Sequence, residues 1–388
     1  MQTSKNNWIT TTFGEVAIQQ KADIDRESSA VDRYVAGGHM NSEDLHIRQW
    51  GVFNGQYLGP AFRRKFENGD ILYGSRRTYL KKVAVANFDG ITANTTFVIK
   101  SNKEKIYPAL LPFLMLSDSF TEHSIKHSKG SVNPYINWKD IANYEFKLPS
   151  CIDDQKRIAD LLWSIDEAEQ KQNVLIDRMH GAKQVFIDNR LFDSKDKYLK
   201  LSEIGDDIRG VNFKPSDIMQ AKGHNVVILR ANNISNDAIN YDDVIFVKKE
   251  RVNEAQILKA GDFAICMSSG SKILLGKAAE YHQSRDKEIA VGAFCSIYRL
   301  KNLSAHFDLV KYYFQSGIYK KQVSLLLSGT NINNLKKSDI LGLRVPIATN
   351  AKECVAKLHK IDNMANLIAE QNKKLKKIKK QLINQIFG

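Results

Sequence analysis

Two long stretches of the chain have apolar residues at alternating spacings of three and four, the pattern of a helix with one apolar stripe. The first runs from Gln155 to Phe192, with its stripe at Ile158, Leu161, Ile165, Ala168, Leu175, Met179, Ala182 and Phe186 and with polar Gln172 in line. The second is C-terminal, with its stripe at Leu358, Ile361, Ala365, Ile368, Leu375, Leu382 and Ile386 and with polar Asn372 in line. Because neither helix is apolar all round, we expect them to pack on each other as an antiparallel coiled coil, with Gln172 and Asn372 fixing the register.

Shorter patterns outside these stretches predict strands and helices of ordinary length. Residues 82–86 and 95–99 are short and rich in β-branched side chains, as are residues 277–281 and 294–300 in the second half. A predicted helix follows each pair, at residues 108–127 and 307–326. Each half is therefore expected to be a mixed α+β domain.

The same order of features occurs twice along the chain. The matching points are Gly69-Asp70 and Gly261-Asp262, Gly130-Ser131 and Gly329-Thr330, Pro149 and Pro346, and Ile165-Asp166 and Ile361-Asp362. Two copies are too few for a solenoid, so the repeat predicts two pseudo-symmetric globular domains separated by the two helices. We assign residues 1–150 and 196–348 to the globular domains, 151–195 to the central helix and 349–388 to the distal helix.

The charge balance indicates a polyanionic partner. The chain has 57 Lys and Arg residues against 43 Asp and Glu residues, a formal net charge of +14. The excess is concentrated in residues 51–100, with 8 basic against 3 acidic residues, and in residues 301–388, with 16 against 5. A hydrophobic content of 43% supports two domain-sized cores and excludes a disordered basic tail. A globular protein that binds nucleic acid fits these numbers.

Basic and amide side chains lie in the segments between the predicted strands. Arginine can contact phosphate or hold guanine through two hydrogen bonds, and asparagine suits adenine. The candidate DNA contacts of the first half are Arg63, Arg64, Arg76, Arg77, Tyr79, Lys81, Lys82, Lys129, Ser131 and Asn133. Those of the second half are Arg230, Asn232, Asn233, Ser268, Ser269, Ser271, Lys272, Lys277, Thr330, Asn331 and Asn333. The two sets differ in chemistry, which predicts an asymmetric, two-part DNA site, although for any single residue a solvated surface position is the alternative.

Several near matches to catalytic motifs fail at essential positions. Residues 270–277 resemble a phosphate-binding loop but have five residues between the glycines, and Ala278 stands where Ser or Thr is needed. Residues 133–135 resemble the Asn-Pro-Pro-Tyr turn of amino-methyltransferases with one proline missing. His123 and His127 lack the glutamate and third ligand of a zinc site, and Asp70 lacks the neighbouring acid-x-Lys pattern of a nuclease. The sequence therefore predicts a protein without a catalytic centre or metal site.

Targeting and cysteine signals are weak. No apolar run approaches the roughly 18 residues of a membrane span, and residues 1–12 lack a signal-type apolar segment, so we expect a cytoplasmic protein with no membrane contact. The four cysteines, Cys151, Cys266, Cys295 and Cys354, are scattered, which favours packing roles over disulfides or a zinc knuckle.

Three sets of residues carry a family resemblance. They are Gly69-Asp70-Ile71-Leu72 with Gly261-Asp262-Phe263-Ala264, the Gly130-Ser131 and Gly329-Thr330 steps, and Phe146-Lys147-Leu148-Pro149 followed by Asp154-Gln155-Lys156-Arg157-Ile158-Ala159. With these features the whole chain resembles the specificity subunits of type I restriction-modification systems. The second copy departs from the pattern, because Pro346 is followed by Glu353-Cys354-Val355-Ala356 in place of the Gln-Lys-Arg-Ile segment.

The resemblance implies a non-catalytic subunit of a multisubunit DNA methyltransferase and endonuclease complex. Each target-recognition domain would read half of a bipartite site in double-stranded DNA, and the helices would set the spacing and dock two modification subunits, which are adenine methyltransferases. Restriction subunits, which carry the translocase and nuclease, can join such a complex. S-adenosylmethionine would bind to the modification subunits, and ATP with magnesium to the restriction subunits, so this chain would bind no cofactor.

Two further features concern partners. Leu162, Ile176 and Val185 in the first helix, and Leu367 and Ile383 in the second, extend the apolar stripes, which favours a protein partner. The lysines at positions 373, 374, 376, 377, 379 and 380 either contact phosphate or an acidic partner, or are solvated at a helix C-terminus. A stand-alone regulator or architectural protein that bridges two DNA sites is the alternative reading, and a nuclease with an unrecognised active site is a third.

Overall fold

The computed structural model describes residues 7–24, 31–53, 58–192, 197–220, 225–235, 237–282, 287–328 and 334–388. The chain divides into two compact units, of which unit 1 comprises residues 1–174 and 369–388, and unit 2 comprises residues 175–368. Each long helix thus contributes residues to both units. In the described part of the chain, no helix has an apolar stretch long enough to cross a lipid bilayer.

Within its described residues, unit 1 has ten strands. They are β1 (Trp8–Thr12), β2 (Ala17–Gln20), β3 (Arg33–Val35), β4 (Gly51–Val52), β5 (Phe62–Phe66), β6 (Ile71–Gly74), β7 (Val83–Val85), β8 (Gly90–Ala93), β9 (Thr96–Ser101) and β10 (Glu145–Pro149). Two four-stranded sheets have the orders β2-β9-β6-β7 and β4-β3-β8-β5, and β1 pairs with β10. All pairs are antiparallel except β3 with β8. The short helices are α1 (Phe13–Val16), α2 (Leu111–Leu116), α3 (Asp118–Lys126) and α4 (Trp138–Ala142).

The long helices are α5 (Ile152–Phe186), which continues as a π-helical turn over Ile187–Leu191, and α10 (Ala351–Phe387). The strands of unit 2 are β11 (Tyr198–Lys200), β12 (Gly205–Arg209), β13 (Ile218–Met219), β14 (Asn225–Leu229), β15 (Ile245–Lys248), β16 (Phe263–Cys266), β17 (Ala278–Glu280), β18 (Ile289–Val291), β19 (Cys295–Leu300) and β20 (Arg344–Pro346). Its short helices are α6 (Leu201–Ile204), α7 (Leu303–Gln315), α8 (Gly317–Ser328) and α9 (Lys337–Leu341).

Unit 2 repeats the strand order of one sheet of unit 1, β2-β9-β6-β7, and differs from unit 1 in the order of the other sheet. Its sheets have the orders β12-β19-β16-β17 and β13-β15-β14-β18, and β11 pairs with β20. The turn before β6 and the turn before β16 have the same form, because Gly69 and Gly261 have φ angles of 90° and 86° and the following aspartates each accept a backbone hydrogen bond within the turn. Left-handed backbone of this kind favours glycine. The predicted tandem repeat and the mixed α+β class are confirmed.

The structure has two helices in place of each single helix predicted after the strand pairs, α2 and α3 in unit 1 and α7 and α8 in unit 2. In unit 1 the break falls at Ser117, whose Oγ accepts a hydrogen bond from Phe120 N at 3.2 Å. In unit 2 it falls at Ser316, whose Oγ accepts from Tyr319 N at 3.1 Å. A serine that caps the next helix stops the preceding one, and both serines are fully buried. The predicted single helices over 108–127 and 307–326 are therefore corrected.

The apolar stripe predicted for α5 is wrong in its phase within unit 1. The buried side chains there are Gln155, Ala159, Leu162, Asp166 and Glu169, whereas Leu161 is 40% exposed. On α10, the predicted positions Leu358, Ala365 and Asn372 are buried. Leu162 and Ile383 are also buried, so they do not extend an exposed stripe, whereas Val185 and Leu367 remain exposed.

Within unit 1, α5 and α10 lie antiparallel with polar side chains between them. Lys379 Nζ donates to Asp166 Oδ1 at 2.8 Å and to Glu169 Oε2 at 2.9 Å. Asn372 Nδ2 donates to Asn173 Oδ1 at 2.6 Å. The in-line asparagine of the second helix thus pairs with Asn173, the neighbour of Gln172 in the sequence. Lys379 is buried, so it is neither the phosphate contact nor the solvated lysine expected from the sequence, while Lys373, Lys374, Lys376 and Lys377 are exposed.

The charges of this cluster compensate one another. Burial acts to raise the pKa of Asp166, but hydrogen bonds from His46 and Lys379 outweigh it and place that pKa below its usual range. Burial acts to lower the pKa of Lys379, but the carboxylates of Asp166 and Glu169 outweigh it and raise that pKa above its usual value. Burial raises the pKa of Glu169 despite its hydrogen bond from Lys379. His46 Nε2, 2.6 Å from Asp166 Oδ2, ties the loop before β4 to α5.

Unit 2 has a matching contact between its segments of the two long helices. Lys183 Nζ on α5 lies 2.6 Å from Asp362 Oδ1 on α10. The hydroxyl group of Tyr312, from α7, donates a hydrogen bond to Asp362 Oδ2 at 2.9 Å. Asp362 is the residue that the sequence repeat aligns with Asp166. In both units, an aspartate of one long helix therefore bonds to a lysine of the other and to a side chain outside the helices.

Candidate nucleic-acid interface

Two segments of unit 1 meet at the end of β6. Arg77 N donates to Pro134 O at 2.7 Å, and Arg76 pairs with Tyr135 as an isolated β-bridge. Lys129 and Tyr135 exchange two backbone hydrogen bonds, of 2.7 and 2.9 Å, which close the second segment into a loop. We call residues 76–79 and 129–135 together loop cluster 1. Its two parts are held by backbone contacts, so its exposed side chains have a rigid support.

The side chains of loop cluster 1 form a basic surface. Arg76, Arg77 and Lys129 are exposed, and so is Tyr79. Asp140 Oδ2 lies 3.7 Å from Lys129 Nζ. The hydrogen bond from Asn137 and the charge of Lys129 hold the pKa of Asp140 below its usual range. Exposed guanidinium and ammonium groups on a rigid loop suit the phosphate oxygens and base edges of nucleic acid.

Ser131 and Asn133 complete the predicted residues of this loop. Ser131 is exposed and Asn133 is half-buried. His123 and His127, at the end of the preceding helix, stack with ring centroids 4.1 Å apart. His123 Nε2 lies 2.9 Å from Asp140 O. Among the residues that the structure describes, no three His, Cys, Asp or Glu side chains are grouped so as to hold a metal ion.

Lys81 is a correction to the predicted DNA contacts. Its side chain is buried, 8% of the residue being exposed, because Nζ pairs with Asp118 and donates to Leu116 O at 3.2 Å. The hydrogen bond from Lys81 holds the pKa of Asp118 below its usual range. Lys82 is half-buried, and its Nζ donates to Gly37 O.

Arg63 and Arg64 lie on strand β5 and not on a loop, which corrects their expected setting. Both form ion pairs with Asp23: Arg63 Nε lies 3.1 Å from Oδ2, and Arg64 Nη1 lies 3.2 Å from Oδ1. Arg63 is exposed and Arg64 is half-buried. They are not part of loop cluster 1.

Unit 2 has an equivalent loop arrangement at the end of β16. Ser268 pairs with Asn334 as an isolated β-bridge, and Leu335 N donates to Met267 O at 2.7 Å. Ser271 and Lys272 are exposed, while Ser269 and Lys277 are half-buried. Lys277 precedes β17 as Lys82 precedes β7. We call residues 268–277 and 334–335 together loop cluster 2.

A pocket of 480 Å³ adjoins loop cluster 2. Lys272, Lys277 and Lys320 line it together with Ser324 and Ser328, and aromatic Phe314 and Tyr319 form part of its wall. Three lysines and two serines are residue types that can bind an anion. Thr330, Asn331 and Asn333, which were also predicted to contact DNA, lie outside the described residues.

The remaining predicted contacts lie in a turn after β14. Arg230 donates to Asp243 O and to Asp243 Oδ2, both at 2.7 Å. Asn233 is 1% exposed, its Nδ2 donates to Asp242 O, and its Oδ1 accepts from Arg230 N, each at 2.8 Å. Asn233 therefore holds the turn together and is removed from the candidate surface, whereas Asn232 is exposed.

Some exposed side chains at the loop clusters were missed by the sequence reasoning. They are Val132 and Tyr135 in unit 1 and Ile273 and Phe294 in unit 2. Apolar residues in a sequence are expected inside a fold, so nothing in the pattern marks these as exposed. Tyr135 had a signal in its Asn-Pro-Tyr setting, which predicts a turn.

The family model described as "Type I restriction modification DNA specificity domain" matches residues 7–177. That segment contains the sheets of unit 1, loop cluster 1 and the first part of α5. Residues 7–177 of the chain therefore belong to the family of type I restriction-modification DNA specificity domains. The family expected from the sequence is thus confirmed.

Individual relatives agree with this membership. The chain is 36% identical to the EcoKI specificity subunit of Escherichia coli over 147 residues, which are 38% of this chain and 31% of that subunit. It is 26% identical to the MjaVIII specificity subunit of Methanocaldococcus jannaschii over 321 residues, which are 76% of this chain and 73% of that one. The match to the EcoKI subunit therefore spans about a third of that relative's length.

The fold of this chain also resembles that of a solved structure. The crystal structure of a type I restriction-modification S subunit from M. genitalium matches with a TM-score of 0.55. The match covers all of this chain and 98% of the other, at 14% sequence identity. At this identity the likeness concerns the fold alone.

Proposed function

We propose that this specificity subunit reads a bipartite, asymmetric site in double-stranded DNA, one part with each unit, and that it has no catalytic activity of its own. The observation that carries the proposal is the equivalence of the two loop clusters. Arg76 bridges to Tyr135 in unit 1, and Ser268 bridges to Asn334 at the corresponding place in unit 2. The same backbone arrangement thus occurs in both units and carries different side chains in each.

Different side chains on equivalent supports favour an asymmetric target. Arg76 and Arg77 suit guanine O6 and N7 or phosphate, whereas serine and asparagine make single or paired hydrogen bonds with other base edges. Lys129 in cluster 1 and Lys272 in cluster 2 are exposed and suit the phosphate backbone. The two half-sites would then share a docking mode and differ in sequence.

The long helices would set the distance between the half-sites. At about 1.5 Å per residue, the 35 residues of α5 are about 52 Å long. The buried side chains of Lys379 and Asn372 in unit 1, and the half-buried Lys183–Asp362 ion pair in unit 2, fix the register of the helices locally. A helical pair with a fixed register acts as a stiff spacer, unlike a Gly/Ser linker.

The same helices would dock two modification subunits. Apolar side chains are exposed on both, at Leu161, Val174, Leu175, Val185, Met364, Leu367 and Ile378. Exposed apolar side chains on a helix favour contact with another protein. In this proposal the adenine methyltransferase activity and S-adenosylmethionine belong to those subunits, ATP and magnesium belong to restriction subunits that join them, and this chain binds no cofactor.

Long-read sequencing of genomic DNA tests the proposal through its modified bases. A host carrying this gene with its neighbouring modification gene is compared with the same host lacking this gene alone. A split, asymmetric motif with methylated adenine that disappears with the deletion is the expected result. An unchanged methylation pattern would refute the specificity role and favour a stand-alone protein that bridges two DNA sites.

A further inference from the structure

Val132 is the most exposed large apolar side chain among the described residues, with 90% of its surface open to solvent. It lies in the loop between Lys129 and Tyr135, within loop cluster 1. Its neighbours in sequence, Ser131 and Asn133, are polar. A valine in this position buries nothing within its own chain, so its conformation gains no stability from the fold.

The loop that carries Val132 is held at its base. Lys129 and Tyr135 exchange backbone hydrogen bonds of 2.7 and 2.9 Å, and Ile136 N donates to Ser75 O at 2.9 Å. Arg77 N donates to Pro134 O at 2.7 Å. An exposed side chain on a supported loop loses little conformational entropy when it contacts a ligand, which favours a binding role.

The surroundings of Val132 are those of a DNA surface and not those of a protein-docking patch. Arg76, Arg77 and Lys129 are exposed in the same cluster. A protein partner is indicated by a contiguous apolar area, whereas one aliphatic side chain among cations and the amphipathic rings of Tyr79 and Tyr135 matches the major groove. There the thymine 5-methyl group is the one apolar feature beside the hydrogen-bonding base edges and the phosphates.

We infer that Val132 contacts the 5-methyl group of a thymine in the half-site read by unit 1, beside the contacts of Arg76 and Arg77. The inference rests on the proposed function and adds a specificity-determining residue to it. Val132 then distinguishes an A·T pair through burial of the thymine methyl group, which offers no hydrogen bond to a polar side chain.

Replacement of thymine by uracil isolates this contact, because it removes the methyl group and leaves base pairing intact. The complex of the full chain with its modification subunits is titrated with duplexes in which each thymine of that half-site is changed in turn. We expect one position at which uracil weakens binding about fourfold, the value of one buried methyl-sized group. With Val132→Ala, thymine and uracil duplexes should bind equally at that position, and with Val52→Ala, an exposed valine on β4, the difference should persist.

Two outcomes would overturn the inference alone. In the first, the complex prefers its target to a scrambled duplex, but no thymine-to-uracil change weakens binding. In the second, Val132→Ala keeps the full discrimination or reduces only assembly with the modification subunits. A complex that does not distinguish its target from a scrambled duplex would instead refute the proposed function together with the inference.

Discussion

Asp166 and Lys379 form a buried ion pair, with 2.8 Å between Oδ1 and Nζ, where α5 meets α10 in unit 1. Unit 2 contains the counterpart, Asp362 with Lys183, at 2.6 Å and with the helices exchanged. The pseudo-twofold repeat therefore extends to individual contacts within the helical pair. Buried charges of this kind specify one alignment of two helices, because every other register leaves a charge without its partner.

Lys379→Met should destabilise the protein by about 3 kcal/mol. Removal of the ammonium group leaves Asp166 and Glu169 buried without a cation, which is costly even though the methionine fills a similar volume. The free energy of unfolding in urea measures the effect. Lys377→Met, an exposed position on the same helix, is the matched control and should change it by less than about 0.5 kcal/mol. Equal effects of the two variants would contradict the role of the buried cluster.

The difference in free energy of unfolding between the native protein and Lys379→Met should become smaller as the pH falls from 7 to 5. Burial already raises the pKa of Glu169, and without Lys379 the hydrogen bond that opposes this effect is absent. A folded-state pKa above the unfolded value means that the folded state holds the proton more tightly, so stability increases as the pH falls through the folded pKa. Urea unfolding of both proteins at several pH values measures this difference in free energy. A difference that stays constant with pH would show that the carboxylates do not titrate in this range.

The apolar pattern predicted the long helices but not the face that α5 turns toward α10. A residue such as Leu161 fits the three-four spacing, yet the buried positions include Asp166 and Glu169. The pattern treats acidic residues as exposed, which holds for unpaired charges. The partner that makes their burial possible is Lys379, 213 residues from Asp166, and a local pattern carries no information about so distant a contact.

The candidate interface could be predicted in part. Arg76, Arg77, Lys129 and Ser131 are exposed on one supported cluster, as residues between strands are expected to be. Lys81 and Asn233 are residue types that also bind DNA, but here their side chains bond within the protein. Lys81 pairs with Asp118, and Asn233 bonds to the backbone of the turn after β14. Residue type indicates what a side chain can bind, whereas burial and internal partners decide whether it is available.

Arg77→Ala should weaken recognition of the half-site read by unit 1 and leave the other half-site unchanged. A good arginine contact with a base contributes about 1–3 kcal/mol of discrimination, equivalent to a loss of about 5- to 150-fold. Binding of the assembled complex to duplexes randomised at one half-site at a time measures the effect. Ser268→Ala is the counterpart in unit 2 and should affect only the other half-site.

If Arg77→Ala and Ser268→Ala relaxed recognition of the same half-site, the assignment of one loop cluster to each half-site would be contradicted. A uniform loss on all sequences would show that Arg77 contacts only phosphate. Arg63→Ala provides a further comparison, because its side chain lies on β5 and bonds to Asp23 outside loop cluster 1. We expect it to leave base preference unchanged.

Lys272→Ala should lower affinity for all DNA sequences and reduce the salt dependence of binding. Each phosphate contact releases counterions, so loss of one contact decreases the slope of log K against log salt concentration by about 1. Titrations between low and physiological salt measure this slope. Lys360→Ala, an exposed lysine on α10, is the control and should leave it unchanged. A loss confined to one DNA sequence would assign Lys272 to base readout instead.

Insertion of four residues into both long helices, after Val174 and before Ala369, should lengthen the gap between the half-sites without changing their sequences. Four helical residues add about 6 Å, the length of roughly two base pairs. Both helices must be extended, because insertion into α5 alone displaces the Asn173–Asn372 and Lys183–Asp362 contacts relative to each other. The methylated motif of each variant, mapped by long-read sequencing, gives the gap directly. The insertion in α5 alone should lower stability and methylation, and a changed half-site sequence in the double insertion would contradict the spacer role of the helices.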